Sequence, residues 1–415
     1  MGVHASPGDF WKFWTGQTIS TLGTAFSSFA LPLLVFQLTH SALNLAITTA
    51  TFALPHLLFG LVIGAWVDRV DRKRLMIVVD LLLATVIVVI PLLALTHRLT
   101  VWWVYGVMFV SSSLSLVFEQ AEFTAIPSLA GQRDLVTANG RINASYQSAQ
   151  VLGPVIAGAI VSVIAVPDLL LLDAASYLMS ALALVLVGIS FNRAGAPRSS
   201  THIGAEILEG LRYVVAHPVL RNISLMMMLF NLVNATPLAQ DVLYAKERLH
   251  TTNFELGILF ASAGVGAVLF SVQAGWFRRH FSFSRVVLGC LMASGLSLVV
   301  FSTIPWFWAA VPLWLLYGGF ASLLNINTFS LRQAIVPNHL LGRVLSVAGL
   351  LAFSASPLGS LAGGFLIQQT HQVALVFGGC GALLFLVPLV FTRTALGRAD
   401  QYLPPEAKAV PGVSR

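Results

Sequence analysis

Twelve long and continuous apolar runs constrain the fold of this chain more than any other feature. Each run is close to the 20 or so residues that an α-helix needs to cross a bilayer. Of the 415 residues, 57% are hydrophobic and only 9% are charged, whereas soluble domains carry about 25% charged residues. This excludes a soluble enzyme, a disordered chain and a disulfide scaffold. The runs fall near 14–38, 43–66, 75–96, 101–123, 141–165, 168–190, 219–242, 254–276, 286–304, 306–330, 343–369 and 371–392.

The character of the runs predicts transmembrane helices. They are continuously apolar, whereas the strands of a membrane barrel alternate with period two. The first run lacks a small-residue cleavage site and is expected to remain as a span. The two cysteines, Cys290 and Cys380, lie inside apolar runs without the spacing of a disulfide framework or a metal site. We therefore expect buried thiols, no metal and no cofactor.

The positions of lysine and arginine predict the topology. If both termini lie on one side, only Arg98, Lys246 and Arg248 of the 23 basic residues fall on the other side. Because cytoplasmic loops are enriched in Lys and Arg, both termini are expected in the cytoplasm. The protein is expected to be a multi-pass protein of the inner or plasma membrane. The net charge of +7 reflects this bias, and so few charges cannot form a nucleic-acid-binding face.

The longest connector divides the chain into two six-span halves. We predict an N-terminal six-helix bundle over 1–190, a cytoplasmic linker over 191–218, a C-terminal bundle over 219–393 and a disordered tail over 394–415. From Ile203 the linker has the pattern of an amphipathic helix, with one apolar face. This helix either lies along the membrane interface or packs on cytoplasmic loops, and the sequence favours the first arrangement.

The two halves also share a sequence block. Ala125-Ile126-Pro127, followed by Gly140-Arg141 and Gly153-Pro154, recurs as Ala334-Ile335-Val336-Pro337, Gly342-Arg343 and Ser356-Pro357. The offset is about half of the chain. Such an internal duplication is typical of transporters.

The loop after the second run, Gly64-Ala-Trp-Val-Asp68-Arg69-Val-Asp71-Arg72-Lys73-Arg74, resembles the signature loop of the major facilitator superfamily. The resemblance covers nearly the whole chain. It implies an all-α integral membrane fold of twelve transmembrane helices in two pseudo-symmetric six-helix bundles. It also implies a cytoplasmic gate formed by Gly64, Asp68, Arg69, Arg72 and Lys73.

Specific contacts are expected of this gate. Asp68 would cap a neighbouring helix, and Arg69 and Arg72 would pair with Glu122 or Asp80. Alternatively, these basic residues only follow the positive-inside rule. Asp71 replaces a glycine that is usual in the superfamily, and the second-half counterpart, Gly275 to Arg279, is degenerate.

A second motif narrows the resemblance to exporters. Gly153-Pro154-Val-Ile-Ala-Gly158 is similar to the Gly-Pro-x-x-Gly-Gly motif of antiporters in this superfamily, with Ala157 at one glycine position. The opening from Phe10 to Gly23 and the stretch from Pro127 to Arg141 resemble the branch that holds macrolide and siderophore exporters. One departure is Gln120-Ala121, where many relatives have Pro-Ala.

Few acidic residues lie inside the runs. An ionised carboxylate at mid-bilayer costs about 2.5–3.5 kcal/mol or more, so we expect each of these residues to have a functional or structural role. Glu119 and Glu122 are one helical turn apart in the fourth run, and Asp173 lies in the sixth. We identify these three as candidates for proton coupling. The alternatives are a structural ion pair for Glu122 and helix anchoring for Asp173.

The geometry of the superfamily implies that the first, fourth, seventh and tenth spans line the substrate cavity. A largely neutral cavity with one acid suits large, amphipathic and cationic cargo better than sugars or phosphates. The candidate substrate-contacting residues on these spans are Gln17, Thr21, Phe26, Asn231, Asn234, Asn325 and Asn327.

The sequence thus predicts a secondary active exporter of amphipathic molecules, such as drugs, macrolides or siderophore-like compounds, driven by proton antiport with alternating access. The expected partners are the bilayer, an amphipathic substrate and protons, and we expect a monomer. A phosphate-binding loop for ATP is absent from the sequence. A facilitator, an importer or a lysolipid-type flippase of the same fold remains open, as does a non-transporting sensor. An intramembrane enzyme is disfavoured because His56 has no evident catalytic partner.

The topology is testable with single cysteines in a Cys290→Ala, Cys380→Ala background. In intact cells, a membrane-impermeant maleimide is expected to label His97→Cys, because the third and fourth runs meet outside. Arg398→Cys is expected to react only after permeabilisation. The reverse pattern would contradict the assignment of both termini to the cytoplasm.

Overall fold

The computed structural model describes residues 7–67, 69–130, 135–189, 191 and 203–402, and nearly all of them are helical. A π-helical turn follows α8 at Tyr244–Arg248. The fourteen α-helices of the described residues are α1 (Pro7–Thr39), α2 (Ala42–Val67), α3 (Arg72–Leu95), α4 (Val101–Ala130), α5 (Leu135–Ile160), α6 (Val166–Leu186), α7 (Ile203–Ala216), α8 (Pro218–Leu243), α9 (Asn253–His280), α10 (Phe283–Thr303), α11 (Phe307–Ile335), α12 (Asn338–Ser354), α13 (Ser356–Thr370) and α14 (Val373–Thr392).

The helices confirm the all-α membrane class. Within the described ranges, eleven helical segments are long and apolar enough to cross a membrane, and α12 and α13 together form one of them, Leu340–Thr370. The remaining run of the sequence corresponds to α5, whose 26 residues extend about 39 Å. This helix falls outside that set because polar side chains such as Tyr146, Gln147 and Gln150 interrupt it.

Four helices end on a histidine in the left-handed conformation. His40, His97, His250 and His371 have φ between 45° and 54° and are the only non-glycine residues of the described chain with positive φ. Each follows a helix on the predicted outer side. A left-handed residue after a helix lets its amide bond back to the last free carbonyls, as when His371 N donates to Ile367 O at 2.8 Å.

The chain forms two compact units. The N-terminal unit comprises Met1–Arg198 and Thr251–Ala261, and the C-terminal unit comprises Ser199–His250 and Ser262–Arg415. The N-terminal unit therefore includes the beginning of α9. Inside it, α6 packs against α1 and α3, α4 packs against α2 and α3, and α5 packs against α1.

Glycines allow two of these close helix crossings. A Cβ atom at Gly153 of α5 would lie 2.5 Å from Ala25 Cβ of α1, and a Cβ atom at Gly16 of α1 would lie 2.5 Å from Ala183 Cβ of α6. Small residues at helix contacts are the usual solution in membranes, where dispersion between closely packed backbones replaces the hydrophobic effect.

The C-terminal unit contains the predicted amphipathic helix as α7. In it, α10 packs against α11 and α14, α8 packs against α13, and α7 packs against α8 and α12. One residue of the apolar face of α7, Val214, is buried in a cluster with Leu220, Leu340 and Val344, whereas Leu208 and Val215 are exposed. Arg343 of α12 also forms an ion pair with Glu209. Part of the apolar face therefore packs against the bundle and part of it is uncovered.

The beginning of the tail is ordered, which differs from the predicted disorder from 394 onwards. Ala395–Tyr402 is helical, and Leu396 and Ala399 are completely buried. The Asp400 carboxylate accepts hydrogen bonds from Phe283 N and Ser284 N at 2.9 and 3.2 Å, so it caps α10. The prediction of disorder rested on the prolines and low apolar content of this segment and did not consider a cap by Asp400. Residues 403–415 lie outside the described residues.

Gly153→Val is expected to destabilise the N-terminal unit. The added side chain would overlap Ala25, and overpacking of this kind costs about 1–3 kcal/mol. Gly106→Val in α4 is the matched control, because nothing lies within 4 Å of a Cβ atom there. Thermal unfolding in detergent should show a lower midpoint for Gly153→Val alone. Equal midpoints would contradict this packing.

Candidate functional site

A cavity of about 190 Å³ lies inside the N-terminal unit. Its walls come from α1 to α6 and combine hydroxyl, amide and aromatic groups with two carboxyl groups. Both predicted α1 candidates, Gln17 and Thr21, line it. The other lining residues are Ser20, Thr24, Ala25, Ser28, Phe52, Asp80, Leu83, Ser115, Phe118, Glu119, Tyr146, Ala149, Gln150 and Tyr177.

A second cavity, of about 230 Å³, adjoins the first. The two cavities share five wall residues, namely Thr24, Ser28, Phe52, Ser115 and Tyr177. The second cavity is mostly apolar, with Leu31, Ile87 and Met108, and Asp173 is the only carboxyl among its wall residues. Thr24 and Tyr177 line both cavities, and their hydroxyl groups lie 3.1 Å apart.

Glu119 is the accessible carboxyl of this site. Its side chain is exposed in the first cavity, whereas Glu122 is buried. The His56 side chain interacts electrostatically with Glu119 and its ring lies 5.9 Å from the ring of Phe52. The cavity therefore offers one exposed carboxyl group, that of Glu119, together with the aromatic side chains of its wall, which is an arrangement that suits a cation with an apolar body.

Two further carboxyl groups lie near Glu119: Asp80 of α3 lines the first cavity, and Glu122 is one helical turn beyond Glu119 on α4. Asp80 is 1% exposed and Glu122 is 6% exposed. Asp80 accepts a hydrogen bond from the Ser180 side chain, which also accepts from Gln17 at 3.2 Å. Asp80 Oδ2 and Glu122 Oε1 are buried without a hydrogen-bond donor among the described residues.

Asp173 has a different environment. It is fully buried and accepts hydrogen bonds from the hydroxyl groups of Ser27 and Ser176. Ser27 belongs to α1, so this contact joins α1 to α6. A carboxyl group with two hydroxyl donors is well suited to the anchoring alternative that the sequence left open.

The basic loop residues Lys73 and Arg72 bind backbone carbonyl groups. Lys73 Nζ donates to Val187 O at the end of α6, and Arg72 Nη1 donates to Thr124 O and Phe191 O at 3.4 and 3.3 Å. Free carbonyls at a helix C-terminus attract cations. Asp71 caps the start of α3, since its carboxylate accepts from Arg74 N at 2.9 Å.

The predicted pairing of Arg69 or Arg72 with Glu122 or Asp80 is not found among the described contacts. Arg69 is exposed. Arg72 lies two turns before Asp80 on α3, and its guanidinium donates to the carbonyls of Thr124 and Phe191. Gly64 lies on α2, but its surroundings, like Asp68 and the cap predicted for it, lie outside the described residues.

The exporter-type motif forms close contacts on two sides of α5. Gly153 approaches α1, as described above. On the other side, a Cβ atom at Gly158 would lie 2.5 Å from Asn253 O at the start of α9, and Gly257 of α9 approaches Pro154 O. Asn253 Nδ2 also donates to Val161 O at 3.3 Å. The motif thus joins α5 to the part of α9 that belongs to the N-terminal unit.

The other cavity candidates do not line either cavity. Phe26 is buried in the N-terminal unit. In the C-terminal unit, Asn231 and Asn325 donate to the carbonyls of Met227 and Ala321 in their own helices at 2.8 and 3.0 Å. Asn234 accepts from the Tyr317 hydroxyl, and the buried Asn327 donates to Leu323 O at 2.8 Å.

The sequence reasoning missed several residues of the site. It considered Asp80 only as a partner for arginine, and it did not select Phe52, Tyr146, Gln150 or Tyr177. The spacing of Tyr146 and Gln150, four residues apart and followed by Gly153, was an available signal, because it marks one polar face of a membrane helix.

The comparisons with known proteins agree with this architecture. Residues 6–411 match the family described as transmembrane secretion effector. The multidrug efflux pump Tap of Mycolicibacterium fortuitum is 30% identical over 396 residues, which cover 89% of this chain and 92% of that protein. Macrolide efflux protein A of Streptococcus pyogenes is 24% identical over 354 residues, which cover 84% of this chain and 87% of that protein.

Among solved structures, the fold is similar to that of a variant of the nucleoside transporter NupG. The TM-score is 0.77 at 13% sequence identity, with 93% of this chain and 100% of that chain covered. At this identity the likeness shows the fold alone.

Lys73→Gln is expected to destabilise the N-terminal unit by about 1 kcal/mol, because the cation at the C-terminus of α6 is lost. Arg74→Gln is the matched control, since Arg74 is exposed and has no side-chain contact among those described. Guanidinium or thermal unfolding of the purified variants measures the difference. If Lys73→Gln keeps wild-type stability, the α6 contact does not contribute to the fold.

Proposed function

Because the chain belongs to the transmembrane secretion effector family of the major facilitator superfamily, we propose that it exports amphipathic drugs in exchange for protons. The cargo class includes macrolides and siderophore-like compounds. The family membership makes it a multi-pass membrane transporter. The export of drugs is supported by its likeness to a multidrug efflux pump and a macrolide efflux protein.

The observation that carries the proposal is the position of Glu119 in the first cavity. The carboxyl group is accessible there, next to Gln17, Thr21 and the rings of Phe52 and Phe118. Aromatic and amide groups bind an amphipathic body with little demand on its shape, while a single carboxylate attracts a positive charge. The same chemistry suits erythromycin, which carries an amine, and ethidium.

Coupling follows if the proton and the cationic cargo compete for Glu119. The ionised carboxylate binds the cargo, and protonation releases it, because a neutral carboxyl no longer balances the charge of the cargo. Exchange of one for the other then couples cargo export to proton entry. Each charge that moves down a 100 mV membrane potential supplies about 2.3 kcal/mol.

Alternating access supplies the conformational part of the proposal. The two compact units are the bodies that would rock against each other around the cargo, as in other transporters built from repeats. The loop from Gly64 to Arg74 is the proposed cytoplasmic gate, with Asp68 and Arg69 as its principal residues. Lys73 and Arg72 contribute by holding the ends of the helices from which the gate is built.

A facilitator, an importer or a flippase of the same fold is the competing function. Everted membrane vesicles separate these from an exporter. With the vesicle interior made acidic, an antiporter accumulates labelled erythromycin or ethidium, and collapse of the gradient with nigericin stops the accumulation. A facilitator only equilibrates the probe, whether or not a gradient is present.

Glu119→Gln is expected to reduce gradient-driven accumulation in everted vesicles at least about tenfold, because the amide cannot exchange a proton. Asp68→Asn is expected to abolish it through the gate. Glu255→Gln is the control, since Glu255 is half-buried at the start of α9, does not line either cavity and accepts local hydrogen bonds from Thr252.

If Glu119→Gln keeps wild-type accumulation while Asp68→Asn abolishes it, Glu119 does not couple transport to protons and the gate assignment stands. If the wild type does not accumulate either probe, the proposal of drug export by proton antiport is wrong for both probe classes.

A further inference from the structure

One side of α7 is apolar and uncovered, although another side of the same helix packs against the C-terminal unit. We propose that α7 lies along the cytoplasmic surface of the bilayer, with Leu208, Leu211 and Val215 at the boundary of headgroups and acyl chains. Arg212 and Arg221 bind anionic lipids of that leaflet. The partner of this surface is therefore a lipid membrane, and the inference depends neither on the cargo nor on the proton coupling proposed above.

Helix α7 has apolar side chains in two different directions. Gly210 and Val214 form the first face, since a Cβ atom at Gly210 would lie 2.8 Å from a backbone oxygen of α12 and Val214 is 2% exposed. At 3.6 residues per turn, Leu208, Leu211 and Val215 fall within an arc of about 60°, and the centre of this arc is turned about 110° from the first face. The packing on α12 therefore leaves the second group of apolar side chains uncovered.

The exposure of the second group confirms that the protein does not cover it. Leu208 is 46% exposed and Val215 is 51% exposed, and Leu211 between them is half-buried. Glu209 and Ala216 are also exposed and lie on a third, polar side of the helix. The protein-facing, apolar and polar sides are each turned about 120° from the next. This is the pattern of a helix that contacts protein, lipid and water at once.

The position of α7 in the chain indicates what covers the apolar side. Helix α7 ends at Ala216, and the membrane-spanning helix α8 starts at Pro218. The connection is tight, because His217 N donates to Tyr213 O at 3.1 Å and Arg221 N donates to His217 O at 3.0 Å. The apolar side therefore begins at the depth where the chain enters the bilayer, and lipid surrounds the protein at that depth.

The exposed surface of α8 marks the same depth. Leu225 is 43% exposed in a helix that crosses the membrane, so it faces lipid. Arg221 lies one turn earlier on the same stripe and is exposed as well. An arginine in the first turn of a span extends its aliphatic part along apolar surface and places its guanidinium among the headgroups. The apolar side of α7 thus continues a surface that already contacts lipid.

Two arginines supply the positive charge that anionic headgroups require. Arg212 is exposed and lies about 60° from Val215 around α7, between the apolar and the polar side. Glu209, the acid that precedes it on the helix, is already paired with Arg343 of α12. A cation at an anionic cytoplasmic leaflet strengthens membrane binding about fivefold. Arg212 and Arg221 are therefore placed to select anionic over zwitterionic lipids.

Bimane fluorescence measures the depth of α7 in vesicles of phosphatidylcholine and phosphatidylglycerol. Single cysteines at Leu208, Val215 or Ala216 carry the label in the Cys290→Ala, Cys380→Ala background. Lipids brominated near the headgroup end of the acyl chain are expected to quench Leu208→Cys and Val215→Cys at least about twofold more than Ala216→Cys. Ala216→Cys is the matched control on the polar side, and aqueous iodide is expected to show the reverse order.

Leu208 gives the sharper result, because it lies about 10 Å from Val215 along α7. If brominated lipid quenches only the label at Val215→Cys, the helix leaves the membrane surface and the inference is wrong. Equal quenching at all three positions would also overturn it. Shielding of Leu208→Cys and Val215→Cys from both quenchers would show that a protein covers the apolar side instead of lipid.

Lipid selectivity tests the two arginines, and its first result needs no variant. Native mass spectrometry of the purified wild type, equilibrated with equal amounts of phosphatidylglycerol and phosphatidylcholine, is expected to show preferential retention of phosphatidylglycerol. Arg212→Gln and Arg221→Gln are each expected to weaken this preference about fivefold. Arg398→Gln, which removes an exposed charge from the tail helix, is the matched control and is expected to leave the preference unchanged.

Two outcomes would contradict the assignment of anionic lipid to these arginines. One is equal retention of both lipids by the wild type. The other is an equal loss of preference in Arg212→Gln, Arg221→Gln and Arg398→Gln, since the effect would then follow net charge and not the position of α7.

Discussion

The interior of a bilayer offers no hydrogen bonds to a protein, and this constraint determines both the fold and the site of the chain. Every backbone amide must be satisfied within its own segment, which leaves helices as the form of each apolar run. The same constraint applies to side chains. An acid inside a span must find donors, a cation or a proton, and the three kinds of carboxyl group in the N-terminal unit differ in which of these they have.

Those differences assign different roles to similar residues. Asp173 has two hydroxyl donors and holds α1 to α6. Glu119 faces a cavity and can meet cargo. Asp80 and Glu122 are buried, and each has one carboxyl oxygen without a hydrogen-bond donor among the described residues. Chemical identity alone, which is all that a sequence shows, does not separate these cases.

Much of the architecture was nonetheless predictable. The period and length of the apolar runs located the helices to within a few residues at most ends, and the signature loop and the Gly153-Pro154 motif identified the superfamily. Some helix ends were harder to predict, because the cap that Asp400 provides for α10 depends on a contact between residues more than 100 positions apart. The packing of α7 on α12 was an open alternative for the same reason, since an apolar face does not reveal what covers it.

The cavity was the least predictable part. Its walls come from six helices, and no local pattern brings Gln17, Asp80 and Tyr146 together. The superfamily geometry directed attention to the first, fourth, seventh and tenth spans, of which the first and fourth contribute to this cavity. It did not indicate the contributions of α3, α5 and α6, which supply Asp80 and both tyrosines.

The most direct test of coupling between cargo and protons is the release of protons when cargo binds. Purified protein in weakly buffered detergent, with a pH-indicator dye, should acidify the solution when ethidium or erythromycin is added, and the Glu119→Gln variant should release fewer protons. Binding of the probe, confirmed by equilibrium dialysis, without any release of protons across the pH range would contradict the competition between proton and cargo.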